Sequence, residues 1–353
     1  MVKNIIIKKR FWAGVLLAQF LLFYIFSKIE FIISLHKSFF EIQKKTHQLI
    51  FSWIPFSVGD VFYILLGILF LFLLIKLYKK ENRNPYGIIL LKILNCLYFI
   101  YQIFWGMLYF QEPLIRKLSK KDPTLEETKH LALKYLDLCR NYRQQVKEDK
   151  NGVFSLHNFD SLQKEILERQ AHIPSWITEK KSTAIHSIKP SIFRGIMSDT
   201  GILGYYNPFT AEAQYNPELP STYIPFTLAH ESSHQLGFAR EQEANFIGFL
   251  VGKNSRNIDL KYSTHYYVLK SLLNFLSEQD PEFVKSVLQN YSEGMKRDRL
   301  FEKQFVLEHD GFLNSFFGMT NNLFLKSNQQ EGSITYSYFI DLLVRYERME
   351  TRF

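Results

Sequence analysis

His230-Glu231-Ser232-Ser233-His234 runs through Gln235-Leu236-Gly237-Phe238-Ala239-Arg240 into Glu241-Gln242-Glu243-Ala244-Asn245, and this stretch sets the fold class expected of the chain. Histidines four residues apart project from one helical face, so both imidazoles can reach a single metal ion. The glutamate between them falls beside that ion, where it can take a proton from an activated water. Pro225 suits the first turn of such a helix, and Gly237 can end it in a left-handed conformation. A second helix starting near Ala239 or Arg240 would then carry Glu241 and Glu243. A hydrolytic zinc site uses three protein ligands and keeps one position open, so a third ligand is expected soon after His234. Glu241 leads, because its helical face continues through Asn245 and Gly248, which are small and polar. Glu243 shares a face with Phe246, Ile247 and Leu250, a packing pattern, and stands as the alternative third ligand.

The same residues resemble the gluzincin type of zincin metallopeptidase. In several of those families an Asp or Asn four residues after the ligand glutamate supports the first histidine, which implies Glu241 as ligand and Asn245 as its supporting partner. Other gluzincins carry the ligand in an N-E-A or N-E-G context, which would select Glu243. The gap from His234 to Glu241 is shorter than in most gluzincins and nearer the metzincin HExxHxxGxxH, whose third histidine is replaced here by Arg240. Over a longer span the chain resembles an uncharacterised family of bacterial membrane-anchored HExxH proteins. The matching stretches are GYYNPFTAEAQYN (204–216), IPFTLAHESSHQLGFAREQEANF (224–246) and NNLFLKSNQQEGSITYSYFIDLL (321–343). That resemblance implies a membrane tether and a zincin-like site, with no known substrate.

Upstream, three apolar stretches of transmembrane length predict helices over about 8–27, 58–78 and 87–110, so residues 1–110 form a membrane region and 111–353 a soluble domain. No small-x-small site follows Ser27, which favours an uncleaved first span over a signal peptide. Residues 31–53 are expected to lie at the interface, with Phe39, Phe40, Leu49, Ile50 and Phe51 wetted by acyl chains. Residues 1–110 hold thirteen Lys/Arg against four Asp/Glu, a net of +9 that equals the total for the chain. The remainder is balanced, so the basic charge belongs to the membrane region and speaks against nucleic-acid binding. Lys3, Lys8, Lys9 and Arg10, with Lys76, Lys79, Lys80 and Arg83, place the N-terminus and the second loop in the cytoplasm of a bacterial inner membrane. Three spans then leave the C-terminal domain outside.

The soluble region reads as mostly α, a helix-rich zincin-like α+β domain with one small edge strand or hairpin. Tyr205 to Tyr215 is the candidate hairpin, and Tyr206, Ala211, Glu212 and Ala213 are the candidate substrate-binding residues, since zincins hold peptides against an edge strand beside the metal helix. Tyr206, Tyr262, His265, Tyr266 and Tyr336 are candidates to stabilise an oxyanion. His309-Asp310 reads as a helix end. The function expected is zinc-dependent hydrolysis of a peptide or protein substrate, with Zn2+ held by His230, His234 and Glu241 and with Glu231 as general base. The alternative is a zinc-binding but proteolytically inactive, membrane-tethered recognition or scaffold protein.

Overall fold

The first two apolar runs each form one continuous helix and the third does so over most of its length, an arrangement that satisfies backbone hydrogen bonds internally as a lipid setting requires. The computed structural model describes residues 8–183, 187–314 and 335–350. Most of these residues are helical, and they divide into two units: residues 1–111 with 207–212, and residues 112–206 with 213–353.

In the first unit, α1 is Lys9–Phe26, α2 Glu30–Phe51, α3 Val58–Tyr78 and α4 Arg83–Phe104. Lys9–Phe26, Val58–Tyr78 and Lys80–Phe104 are long and apolar enough to cross a membrane. α4 packs against both α1 and α3. Asn95 of α4 joins it to α1, donating to the Trp12 carbonyl at 3.0 Å and accepting from Gln19 Nε2 at 3.0 Å. Such an interhelical pair in apolar surroundings stabilises by about 1 kcal/mol.

The third apolar helix differs from the expected 87–110. It begins at Arg83 and ends at Phe104, after which Trp105 leaves helical geometry and Gly106–Phe110 forms a 3-10 turn. His36 supplies one physical reason: its Nε2 lies 2.6 Å from the carbonyl of Ile103, which as a last-turn acceptor needs a partner from outside the helix.

Within the same unit, the 207–212 segment closes on the start of α3. The Glu212 carboxylate accepts from the backbone N–H of Val58 (3.2 Å) and Gly59 (2.6 Å) and from the Thr210 hydroxyl (2.9 Å). Carboxylates are favoured at helix N-termini, where N–H groups lack partners.

In the second unit, α5 (Leu125–Arg143) opens on a capping box formed by Thr124 and Glu127. It is followed by α6 (Phe159–Gln170), β1 (Ile188–Pro190), α7 (Arg194–Thr200), β2 (Gly204–Asn207) and β3 (Glu212–Tyr215). Then come α8 (Ile224–Gln235), α9 (Glu241–Lys253), α10 (Ile258–Leu276), α11 (Pro281–Gln289), α12 (Glu293–Glu308) and α13 (Thr335–Glu350). The strand order is β1-β3-β2, with β1 parallel to β3 in the register Ile188–Ala213, Lys189–Gln214 and Pro190–Tyr215. The bonds Asn216 N–H to Leu203 O and Ala211 N–H to Asn207 O close the two ends of the β2–β3 hairpin.

Two apolar cores build the second unit. Leu162, Ile166, Ile188, Ala213, Leu228 and Val251 pack α6 and the sheet against α8. A larger core joins α5, α9, α10 and α13 through Tyr135, Phe246, Phe249, Tyr262, Leu269 and Leu343. Much of 321–343 lies outside the described residues, as does the side chain of Tyr336.

Candidate metal centre

Schellman geometry ends α8 at the point the sequence marks with glycine. Gly237 N–H donates to His234 O and Phe238 N–H to Ser233 O, with Gly237 at φ +95°. The chain turns there and re-enters helix α9 at Glu241, directly beside the face of α8 that carries the histidines. Gly248 makes the close crossing possible: a Cβ on it would sit 3.1 Å from the backbone nitrogen of His230.

His230, His234 and Glu241 come together in this crossing, their ligand atoms all within 4.8 Å of one another. Glu241 Oε2 is 3.3 Å from His230 Nε2, and Oε1 is 3.6 Å from His234 Nε2. Ligands bonded to zinc at 2.0–2.1 Å in a tetrahedron are separated by about 3.4 Å, so the two imidazole–carboxylate edges have the size that zinc requires. His234 is oriented by its other ring nitrogen, since Nδ1 lies 2.7 Å from the Phe238 carbonyl. A bond of that kind fixes which nitrogen faces a metal. His234 is buried, while the Glu241 side chain is 36 % exposed, so the cluster opens to solvent on the Glu241 side.

Charge follows from this geometry. Burial works against a charged His234, but the Glu241 carboxylate outweighs it and raises the imidazole to about 9. Burial likewise disfavours the Glu241 anion, and the two histidines reverse that, holding its carboxyl well below the usual range. Burial pushes Glu231 up to about 7, opposed by His230 and His234. Its Oε2 is buried with no hydrogen-bond partner. Gly204, the first residue of β2, lies against it: a Cβ there would meet Glu231 Oε1 at 2.7 Å and Cγ at 2.8 Å.

Other residues singled out in the sequence lie elsewhere. Glu243 does not join the cluster: its carboxylate accepts from Leu114 N–H at 2.8 Å and pairs with Arg240 at 3.1 Å, a buried strut between the 114–117 turn and α9. Asn245 is half-buried, but His230 Nδ1 has no hydrogen-bond partner, so the support expected from Asn245 is not made. Glu212 is fully buried as the cap of α3, and Ala211 lies in the turn at φ +54°. Ala213 sits in the middle strand, paired on both sides. None of these three presents a free strand edge. β1 and β2 are the outer strands, and in β2 Tyr206 shares the strand face of Gly204, two residues away.

Tyr262, His265 and Tyr266, the other described oxyanion candidates, are packed in the core. Tyr262 donates to Asp298 at 2.7 Å, and Tyr266 stacks on Tyr262 with ring centroids 5.5 Å apart. His265, lowered to about 4 by burial, lies between the rings of Tyr135 and Tyr142. His309 is the C-cap of α12, as its sequence position suggested. Sequence reasoning missed the Phe238 carbonyl and Gly204. The first follows from the turn that Gly237 makes and could have been sought there, whereas no local pattern announces Gly204, which meets Glu231 only through the tertiary fold.

Neither the curated proteins nor the solved structures contain a match to this chain. A family model described as "Protein of unknown function (DUF3810)" matches residues 36–344. With that match covering most of its length, the chain belongs to this family.

Proposed function

We propose that this protein is a membrane-anchored, zinc-dependent peptidase of zincin-like design. The observation that carries the reading is the convergence of His230, His234 and Glu241 at zinc-ligand spacing, with the buried carboxylate of Glu231 on the same helix. Two neutral imidazoles and a carboxylate form a donor set of the kind found in hydrolytic zinc sites, and three ligands leave a position open. Bound there, zinc would supply an acidified water and a Lewis acid for a peptide carbonyl. Glu231 takes a proton and returns it to the leaving amine. Gly204 keeps that carboxylate in place by close packing. Tyr206, buried on β2 and on the same strand face as Gly204, is the candidate donor to stabilise developing negative charge. The three apolar helices tether the protein in a bacterial inner membrane. The basic residues beside α1 and between α3 and α4 set the orientation, with the second unit outside the cytoplasm.

Elemental analysis of the purified protein tests the reading. About one zinc per chain is expected, removable by a chelator and restored by added zinc. A protein that neither retains nor takes up zinc would refute it. The protonation of the cluster gives a second expectation. His234, raised to about 9, carries a proton at pH 7 in the metal-free protein and must release it to bind zinc. Calorimetric titration at pH 7 in two buffers of different ionisation enthalpy should therefore report release of about one proton per zinc, with affinity weakening as pH falls. Affinity independent of pH between 6 and 9 would contradict this.

A further inference from the structure

Helix α2 is built with its polarity inverted. His36, Gln43, Lys44 and Gln48 face inward, Lys44 and Gln48 each only 3 % exposed, whereas Phe31 is 75 % and Ile42 69 % exposed. At 100° per residue, Phe31, Leu35, Phe39, Ile42, Leu49 and Ile50 fall within one arc of about 100°. All six are exposed. Glu41 and Lys45 occupy the strip between that arc and the buried face, and Lys37, which is exposed, falls between Lys44 and Gln48 around the helix. The outer surface of α2 thus has one charged flank and one apolar flank, the division found in helices that lie in a bilayer interface.

The packing of α2 gives its direction. His36 reaches the carbonyl of Ile103, the rings of Phe39 and His47 both contact Phe104, and Phe40 packs on Trp105. Residues 36 and 47 are about 16 Å apart along the helix axis. They nevertheless meet adjacent residues at the end of α4. A helix running alongside α4 would change partners as it advanced; α2 instead crosses the end of α4, whose own axis is that of a membrane-crossing helix.

We propose that α2 is a membrane-surface helix whose Phe31–Ile50 apolar arc inserts at the acyl-chain boundary of a phospholipid bilayer, with Lys37 and Lys45 at the headgroups. The partner is lipid because the arc is continuous with a unit whose other three helices are apolar enough to cross a membrane. The charged flank also supplies the headgroup contacts that a flat apolar protein interface would not need. Phe40, expected from the sequence to touch lipid, is buried and belongs to the inner face.

The inference rests on the membrane-anchor reading, and the test separates the two. Single spin labels would be placed at 35, 42 and 37, with references at Leu71 and Ile75 of α3, in full-length Cys96→Ser protein. Cys96 is the exposed native thiol and Cys139 is buried. The protein would be reconstituted in phosphatidylcholine–phosphatidylglycerol vesicles. Accessibility to oxygen over a water-soluble nickel chelate is expected to be at least about fivefold higher at 35 and 42 than at 37. The reference labels should be oxygen-accessible as well. Labels at 35 and 42 that favour the chelate would overturn the proposal, and labels shielded from both reagents would overturn it in favour of a protein partner such as a second copy. Reference labels that favour the chelate would overturn the anchor itself.

Discussion

Glu241→Ala is expected to lower zinc affinity by more than the 10- to 100-fold that loss of an outer hydrogen-bonding partner costs a metal site. It removes the one carboxylate that reaches both imidazoles, at 3.3 Å and 3.6 Å. His230→Ala should act alike. Glu243→Ala, two residues along the same helix, should behave in the opposite way. Its carboxylate serves Leu114 N–H and Arg240, so its loss takes the partner from a buried backbone donor and removes a largely buried ion pair. The expected cost is about 2–4 kcal/mol of stability, with zinc affinity changed only a few-fold. Zinc titration by competition with a chromophoric chelator, paired with thermal melting of the metal-free proteins, reads both effects. Metal lost in Glu243→Ala and kept in Glu241→Ala would reverse the assignment.

That contrast bears on how far the sequence could be read. The spacing of His230 and His234 is a property of one helix, and Gly237 ends that helix by local geometry, so both were legible. Separating Glu241 from Glu243 needed only the period of a helix, because Phe246, Ile247 and Leu250 mark the face turned to the core. The partner of Glu243 was not legible. Leu114 is 129 residues away, and nothing near Glu243 announces it. The hairpin over Tyr205 to Tyr215 was legible and forms, but which of its strands lies at the edge was not, for a related reason. Ala211-Glu212-Ala213 alternates small and polar residues as an edge strand would, but strand order decides which strand is the edge. The parallel pairing with β1 buries β3 in the middle. The end of the third apolar helix was misplaced because hydropathy continues to Phe110 while the helix stops at Trp105. The contact from His36 that meets its last turn comes from another helix.

Gly204→Ala should separate metal binding from catalysis in one atom. The added Cβ would lie 2.7 Å from Glu231 Oε1 and 2.8 Å from both Glu231 Cγ and the backbone oxygen of Gln214. The carboxylate can swing away, while the contact with the strand oxygen is relieved only by a shift of β2 against β3, so both the position of Glu231 and the stability of the hairpin are expected to change. A displacement of about 1 Å in a catalytic group costs about 100-fold in rate. Glu231→Gln keeps the shape and removes the base, at an expected cost of about 100- to 10,000-fold. Neither change touches a ligand atom, so zinc stoichiometry should stay near that of the wild type in both. Cleavage of a broad peptide library, followed by mass spectrometry on zinc-loaded proteins, supplies the measurement. Thermal melting shows that Gly204→Ala remains folded. Two folded, zinc-loaded and inactive variants beside an active wild type would establish Glu231 as the base and β2 as its support. Undiminished cleavage by Glu231→Gln would refute that role. A wild type that holds zinc tightly and cleaves nothing would favour the recognition protein that the same ligands could equally serve.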